Sequence, residues 1–214
     1  MKSMVLCGAD RIDEYEEIFH GRRLGLLTNP SGVLRDLTAT ADKLFRDYHL
    51  CALYAPEHGI RGDRQDGMSI SSYEDEKTGI PVYSVYGEKR MPSQEDLEAI
   101  DMLVFDIQDV GSRYYTYLYS MTNAMIACRK KGIPFVVLDR PNMIGGMAVE
   151  GTVMEPGCTS FIGMYDFPQR YSLTIGELAW HTNERFHIGA ELMVVPLKGW
   201  RRSMNWEVTG LMWT

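Results

Sequence analysis

Several common signals are missing from this 214-residue sequence, and each absence narrows the class of protein. No apolar run approaches the roughly 18 residues that a membrane-spanning helix requires. The N-terminal apolar run stops at Asp10 and Arg11, which argues against a signal peptide. The four cysteines are far apart and form no C-x-x-C pair, so reduced thiols are favoured over a disulfide framework. We therefore expect a cytoplasmic protein without a membrane partner.

Basic clusters are also missing. The chain has 22 Lys and Arg residues against 29 Asp and Glu residues, which gives a formal net charge of −7. It contains no long run of Lys and Arg. This balance argues against nucleic acid as a partner. The 45% of hydrophobic residues and 24% of charged residues are typical of a globular protein. The length allows one sizeable domain, or one domain and the start of another.

Sequence motifs for the commonest cofactors are absent. No G-x-G-x-x-G follows the first apolar run, and there is no G-x-x-x-x-G-K-[ST], so we expect no nucleotide cofactor. H-E-x-x-H and G-x-S-x-G are absent as well, which argues against a zinc protease and a serine hydrolase. A cation held by His58 with Asp106 or Asp109 stays open as a weaker alternative. We expect no metal.

What the sequence does contain is an alternation of short apolar runs with helical patterns. The apolar runs cover residues 23–28, 50–55, 82–86, 102–107, 135–138 and 192–196. Most are continuous, as in strands of a parallel sheet that is covered on both faces. Helical patterns cover residues 37–48, 117–131 and 174–186. The first should bury Ala41, Leu44, Phe45 and Tyr48, the second should end before Gly132, and the third opens on a capping box.

This alternation predicts an α/β fold, a three-layer sandwich with a mostly parallel sheet, over residues 1–196. It fades after Pro196, and the Trp-rich segment 197–214 is expected to be a linker or the beginning of a second, smaller domain.

Polar side chains follow four of the apolar runs. In open α/β sheets the carboxyl ends of the strands meet at one edge, where ligands bind. We therefore expect these residues to form the functional site. The candidates are Asn29, Glu57, His58, Arg61, Asp106, Gln108, Asp109, Arg113, Tyr114, Tyr115, Arg140 and Asn142.

The carboxylates among them suit general acid–base chemistry. Partial burial of Glu57 at a strand end would favour the protonated form that a general acid requires. Asp106 and Asp109 supply further carboxyl groups, and glycoside hydrolysis generally uses two. The alternatives are that Glu57 caps a helix or pairs with Arg61, and that Asp109 caps the turn that follows it.

The arginines and tyrosines allow two interpretations. Arg61, Arg113 and Arg140 are able to bind a carboxylate or phosphate of a substrate, or to pair with the neighbouring acidic side chains. Tyr114 and Tyr115 precede a helix, and we expect their rings to pack against the substrate.

At these positions the sequence resembles the bacterial exo-β-N-acetylmuramidase family of the NamZ type, formerly a domain of unknown function. The resemblance runs from about Arg22 to the last residue. The motifs that carry it are residues 26–33, 55–62, 106–117, 139–142 and 160–163.

The resemblance implies a Rossmann-like catalytic half followed by a smaller second half, with the active site in the cleft between them. It implies an exo-acting glycosidase of cell-wall turnover that releases terminal N-acetylmuramic acid from the non-reducing end of peptidoglycan fragments. The substrate would be a muropeptide or disaccharide. In this family Glu57 would be the acid, and the arginines would face the lactyl carboxylate of the sugar. Two alternatives stay open: a non-catalytic module that binds sugar acids or muropeptides, and a metal-dependent hydrolase.

Overall fold

The computed structural model describes residues 4–57, 59–62, 72–87, 89–155 and 157–213. Within these ranges the chain forms one seven-stranded sheet of order β3-β4-β2-β1-β5-β6-β7. The strands are β1 (Leu24–Thr28), β2 (Leu50–Ala55), β3 (Tyr73–Glu74), β4 (Pro81–Ser84), β5 (Met102–Asp106), β6 (Phe135–Leu138) and β7 (Leu192–Val195). All neighbouring strands are parallel except β3 and β4, which are antiparallel. The predicted α/β fold with a mostly parallel sheet is confirmed, and each of the six apolar runs overlaps one strand that pairs in parallel.

Helices cover both faces of this sheet. They are a 3₁₀ helix (Gly8–Tyr15), α1 (Glu16–Phe19), α2 (Thr40–Asp47), α3 (Tyr117–Lys131), α4 (Ile175–Arg185) and α5 (Trp206–Thr209). Consecutive strand residues point to opposite faces, so Phe105 packs in the core under α3 and α4, while Val104 packs in the core under the 3₁₀ helix and α2. Both cores are apolar, which explains why the strands are continuous hydrophobic runs.

Two helix boundaries follow from local sequence as predicted. Helix α3 ends at Gly132, which adopts the left-handed conformation (φ 77°) and donates its backbone N–H to the Cys128 carbonyl. Helix α4 opens with the expected capping box: the Thr174 hydroxyl oxygen accepts from the Glu177 N–H, and the Glu177 carboxylate accepts from the Thr174 N–H.

The prediction for α2 was partly wrong. The helix begins at Thr40 rather than at residue 37, because Leu37 takes a positive φ of 69° in a tight turn closed by Leu34 and Thr38. Phe45 was expected on the buried face and is 47% exposed. The strand β3, the helices before β1 and helix α5 were not predicted. β3, α1 and α5 have only two to four residues and are too short to show a period, and the eight-residue 3₁₀ helix repeats every three residues rather than every 3.6.

The order of the strands decides where a ligand can bind. From β1 the chain first builds β2 and β4 on one side and then crosses to place β5 on the other side. The loops after β1 and β5 therefore diverge and leave a crevice at the carboxyl edge of the sheet. Segment 198–213 packs back onto this domain, through a bridge between Lys198 and Leu6 and hydrogen bonds of Arg202. The assignment of residues 197–214 to a linker or second domain stays a prediction.

The longest helix in the described ranges is α3, with 15 residues. No helix there has the length and apolar character needed to cross a membrane.

Candidate active site

A cleft of about 350 Å³ lies where the loops after β1 and β5 diverge. Its wall combines polar groups from these two loops with aromatic side chains from the beginning of α3, from the residues just before it and from the C-terminal segment. The lining residues are Asn29, Pro30, Ser31, Gln108, Val110, Tyr115, Tyr117, Met143, Trp206 and Trp213. Of the predicted site residues, the cleft thus brings together Asn29, Gln108 and Tyr115.

Hydrogen bonds between the two loops hold the polar side of the cleft. The Asn29 Oδ1 atom accepts from the Ser31 backbone N–H at 3.0 Å and from the Ser31 hydroxyl at 2.5 Å. The Ser31 Oγ atom accepts in turn from the Gln108 backbone N–H at 2.9 Å. The side chain of Gln108 donates through Nε2 to the carbonyls of Asp109 and Pro141, at 2.7 and 2.8 Å. Asn29 and Gln108 are both buried, so these contacts set the orientation of both amides.

Gly32 allows the loop after β1 to pack this closely. A Cβ atom at this position would lie 2.0 Å from Thr28 Oγ1 and 2.8 Å from the Asp106 carbonyl oxygen. The Thr28 hydroxyl donates to the same carbonyl at 2.8 Å. A side chain at residue 32 would therefore push apart the ends of β1 and β5.

Glu57 lies at the carboxyl end of β2, outside the lining of the cleft. Its half-buried carboxylate accepts a hydrogen bond of 2.5 Å from the Tyr86 hydroxyl to Oε1. The contact forms because the Val85 N–H donates to the Ala55 carbonyl, which extends the pairing of β2 and β4 and brings Tyr86 alongside Glu57. In the described part of the chain, the second oxygen of Glu57 has no hydrogen-bond partner. His58 lies outside the described residues.

Arg61 pairs with carboxylates other than that of Glu57. Its guanidinium donates to both oxygens of Asp75, at 3.0 and 2.8 Å, and to Asp42 at 3.0 Å. These hydrogen bonds raise the pKa of Arg61 further above its ordinary value, although partial burial opposes them. The contacts give Arg61 a structural function between α2 and the segment that leads to β4. The alternative in which Arg61 pairs with Glu57 is therefore not realised among the described contacts.

Asp106 and Arg140 form a buried ion pair. The Arg140 Nε and Nη2 atoms donate to the two carboxylate oxygens at 2.6 and 2.8 Å, and the Thr40 hydroxyl donates to Oδ2 at 2.6 Å. Burial by itself would lower the pKa of Arg140, but the adjacent Asp106 carboxylate outweighs burial and raises it. Both oxygens of Asp106 are thus occupied by protein groups, and the pair ties β5 to the segment after β6. This matches the ion-pair interpretation of Arg140.

Asp109 is buried in a different network. Its Oδ2 atom accepts from the Gly111 backbone N–H at 2.9 Å and from the Tyr171 hydroxyl at 2.7 Å, so Asp109 caps the turn that follows it. Its Oδ1 atom has no hydrogen-bond partner among the residues that the structure describes. Burial raises the pKa of Asp109, and these two hydrogen bonds oppose the rise only in part. Burial also raises the pKa of Tyr171, which stays protonated as the donor.

Arg113 and Asn142 bind backbone carbonyls. The Arg113 Nη1 atom donates to the carbonyls of Thr152 and Phe167, at 2.6 and 2.8 Å. The Asn142 Nδ2 atom donates to the carbonyls of Tyr171 and Leu173, at 2.9 and 3.0 Å. Both side chains are buried and fasten the loops around the cleft, and neither lines it.

The two adjacent tyrosines before α3 are separated by the fold. Tyr114 and Tyr115 are 53% and 48% exposed, but only Tyr115 lines the cleft, with its ring 6.5 Å from that of Tyr117. Tyr114 instead lies against the Arg113 guanidinium, at 5.5 Å.

Sequence reasoning missed Tyr86, Ser31, Trp206 and Trp213. Tyr86 is the last residue of the third apolar run, so the expectation that functional residues lie at strand ends would have identified it. The tail tryptophans gave no such signal, because nothing local shows that the chain returns to the cleft.

A metal centre is not formed by the side chains that the structure describes, where no three His, Cys, Asp or Glu residues come together. Asp106 and Asp109 belong to separate hydrogen-bond networks, and His58, which the weaker alternative pairs with one or the other of them, is outside these ranges.

Known proteins have a similar sequence and fold. A family model described as "Exo-beta-N-acetylmuramidase NamZ, N-terminal" matches residues 24–214. The Bacillus subtilis (strain 168) protein named peptidoglycan β-N-acetylmuramidase NamZ is 49% identical over 98% of this chain and 51% of its own length. Two crystal structures of DUF1343 family proteins from Bacteroides fragilis NCTC 9343 are similar. The first superimposes with a TM-score of 0.92 and is 43% identical, and the match covers 100% of this chain and 55% of the other chain. The second has a TM-score of 0.82 and is 30% identical, and the match covers 94% of this chain and 54% of the other chain.

The chain thus spans about half the length of the curated relative that it matches. Because the family model covers nearly all of the sequence, the chain belongs to the family of the N-terminal part of the exo-β-N-acetylmuramidase NamZ.

Proposed function

We propose that this chain supplies the catalytic half of an exo-acting glycoside hydrolase that releases terminal N-acetylmuramic acid from the non-reducing end of peptidoglycan fragments, with Glu57 as the general acid. The observation that carries the proposal is the 49% identity, over 98% of the chain, with a protein named for this activity. The site geometry supports it, since Glu57 follows β2, the neighbour of strand β1, and the loop after β1 lines a sugar-sized cleft with aromatic walls.

The contact with Tyr86 suits an acid that must lose its proton. Tyr86 holds Oε1 of Glu57, so a proton on Oε2 can be delivered to the oxygen of the leaving sugar. The carboxylate that remains then accepts the Tyr86 hydrogen bond, and such charge-assisted bonds are short and strong. Tyr86 would thereby stabilise Glu57 after proton transfer and hold it in one orientation.

Asp106 and Asp109 are the two candidates for the second carboxyl group of the reaction. Protein donors occupy both oxygens of Asp106, and the carboxylate neutralises Arg140, so we assign Asp106 to the structure of the site. Asp109 keeps one oxygen without a partner in the described ranges and is the better candidate of the two. Burial raises its pKa and so favours the protonated form, which would serve as a hydrogen-bond donor to the substrate and not as the ionised nucleophile or base of a two-carboxylate mechanism.

The test exploits the dependence of acid catalysis on the leaving group. The assay follows hydrolysis of a 4-nitrophenyl β-N-acetylmuramide and of the disaccharide of N-acetylmuramic acid and N-acetylglucosamine. The enzymes are this chain and a chimera in which it replaces the matching half of the Bacillus subtilis relative. Glu57→Gln should slow disaccharide hydrolysis by about 100-fold or more, and the nitrophenyl glycoside much less, because nitrophenolate leaves without protonation.

Glu98→Gln, which removes an exposed carboxylate, is the matched control and should change neither rate. Equal loss on both substrates would remove Glu57 from the acid role. A folded chimera without turnover, beside an active Bacillus subtilis protein, would refute the activity.

A second candidate function is a non-catalytic module that binds muropeptides, favoured by the observation that neither Glu57 nor Asp109 lines the cleft. Calorimetric titration with N-acetylmuramic acid separates the two functions. Binding without turnover by either the chain or the chimera would favour the module.

A further inference from the structure

Two buried amide side chains stand at the carboxyl edge of the sheet, one after β1 and one after β5, and both line the same cleft. Asn29 and Gln108 are more than nine-tenths buried, and the hydrogen bonds around them determine which end of each amide remains for a ligand.

Asn29 offers a donor. Its Oδ1 atom accepts from the backbone N–H of Ser31, which can only donate, so the oxygen end of the amide is the end that faces the loop. The Nδ2 group of Asn29 makes no hydrogen bond to any residue that the structure describes. This leaves an N–H donor on the wall of the cleft.

Gln108 offers an acceptor. Both of its Nε2 hydrogen bonds go to carbonyl oxygens, of Asp109 and Pro141, so the nitrogen end of this amide is used up. Its Oε1 atom is buried and has no partner in the described ranges. A buried acceptor without a donor is costly, and a ligand that supplies an N–H would remove this cost.

We propose that Asn29 and Gln108 form a recognition site for a secondary amide of the ligand, with Asn29 donating to its carbonyl oxygen and Gln108 accepting from its N–H. A secondary amide carries one donor and one acceptor, and the two side chains offer the complementary pair. On the terminal N-acetylmuramic acid residue of the proposed substrate such a group occurs in two places: the 2-acetamido group of the sugar, and the amide that links the lactyl group to a peptide. The inference rests on the proposed function for this substrate class.

The aromatic walls suit the rest of such a ligand. Tyr115 and Tyr117 lie on one side of the lining, and Trp206 and Trp213 lie 6.1 Å apart in an edge-to-face arrangement. Aromatic faces pack against the C–H groups of sugars and against an acetyl methyl group. The tryptophans also make ligand binding visible by fluorescence.

A competing explanation assigns Gln108 a water molecule. Gln108 also lines a second cavity of about 20 Å³, together with Arg140 and Arg35, and this is enough space for one water molecule. A water there would satisfy Oε1 without any ligand. The two explanations differ in one measurable property, which is preference for a ligand that carries an amide.

The test measures the affinity of the 214-residue chain for three matched ligands by calorimetry and tryptophan fluorescence. N-acetylmuramic acid carries only the acetamido group, 3-O-lactylglucose carries no amide, and the alanyl amide of 3-O-lactylglucose carries only the lactyl amide. We expect one amide ligand to bind about tenfold more tightly than 3-O-lactylglucose, which corresponds to two ordinary hydrogen bonds. The ligand that shows the preference identifies which amide is bound.

Asn29→Asp is the decisive variant, because it keeps the oxygen that accepts from Ser31 and replaces only the donor. In this variant the amide ligand and 3-O-lactylglucose should bind with about equal affinity, even if both affinities change. Tyr115→Ala should weaken all ligands, while Tyr114→Ala, equally exposed but outside the cleft, should weaken none.

Equal affinity of wild type for all three ligands, or an unchanged preference in Asn29→Asp, would overturn the proposal and leave the water as the partner of Gln108. A different result would refute the proposed function while leaving the amide site intact. In that case Glu57→Gln and the wild type would bind with the same amide preference, and neither would hydrolyse the substrate.

Discussion

Removal of one partner from the buried ion pair of Asp106 and Arg140 should be among the most destabilising changes in this chain. Arg140→Met deletes the guanidinium and leaves the fully buried Asp106 carboxylate with the Thr40 hydroxyl as its remaining donor. An uncompensated buried charge of this kind costs about 3–5 kcal/mol. Because domains of this size are typically stable by about 5–15 kcal/mol, the variant should lose a large share of its stability.

The assay is urea unfolding followed by tryptophan fluorescence at neutral pH, with the free energy of unfolding extrapolated to water. Arg23→Met is the matched control, because Arg23 forms an equally short ion pair with Asp101 at 2.7 Å, but with side chains 47% and 42% exposed. An exposed pair contributes about 0–1 kcal/mol. The double variant Asp106→Leu with Arg140→Met should recover most of the loss, since it buries no charge.

The result that refutes this reasoning is a loss in Arg140→Met no larger than in Arg23→Met. The same comparison separates structure from chemistry at Asp106: if the double variant is stable and still hydrolyses the substrate, Asp106 takes no part in catalysis.

Two further predictions concern the residues around the same loops. Burial raises the pKa of Asp139 to about 6, although hydrogen bonds from Gly176, Thr174 and the Arg140 backbone oppose the rise. The folded state therefore holds this proton more tightly than the unfolded state, and stability should fall by up to about 3 kcal/mol as the pH rises from about 4 to about 6. Asp139→Asn should abolish this decline in urea unfolding across that range; an unchanged slope would contradict it. Gly32→Ala should cost about 1–3 kcal/mol and weaken ligand binding, because its methyl group would meet Thr28 at 2.0 Å; wild-type stability and affinity would disprove this.

The sequence alone predicts the sheet and its helical layers with good accuracy. Continuous apolar runs predicted six of the seven strands in the described ranges, since burial on both faces requires apolar side chains at every position. The left-handed Gly132 and the capping box of Thr174 and Glu177 are local backbone chemistry, so their positions were predicted correctly. Phe45 was predicted on the buried face of α2 but is exposed. The helical period shows which residues share a face of the helix, but it does not show how much of that face the rest of the protein covers.

The partners of the polar residues are what only the tertiary structure decided. Arg61, Arg113 and Arg140 have the same appearance in the sequence, as arginines near strand ends, yet one pairs with Asp42 and Asp75, one binds backbone carbonyls, and one neutralises Asp106. Strand order sets these partners by bringing together residues that are far apart in the chain.

In the cleft, too, the sequence determines the positions of the residues and the tertiary structure determines their partners. The sequence determined that Asn29, Glu57 and Gln108 lie at the carboxyl edge of the sheet. Only the fold showed that Tyr86 holds Glu57, and that the tail brings Trp206 back over the loops after β1 and β5. The physical reason is that burial and backbone conformation are encoded by neighbouring residues, whereas hydrogen-bond partners depend on which strands lie side by side.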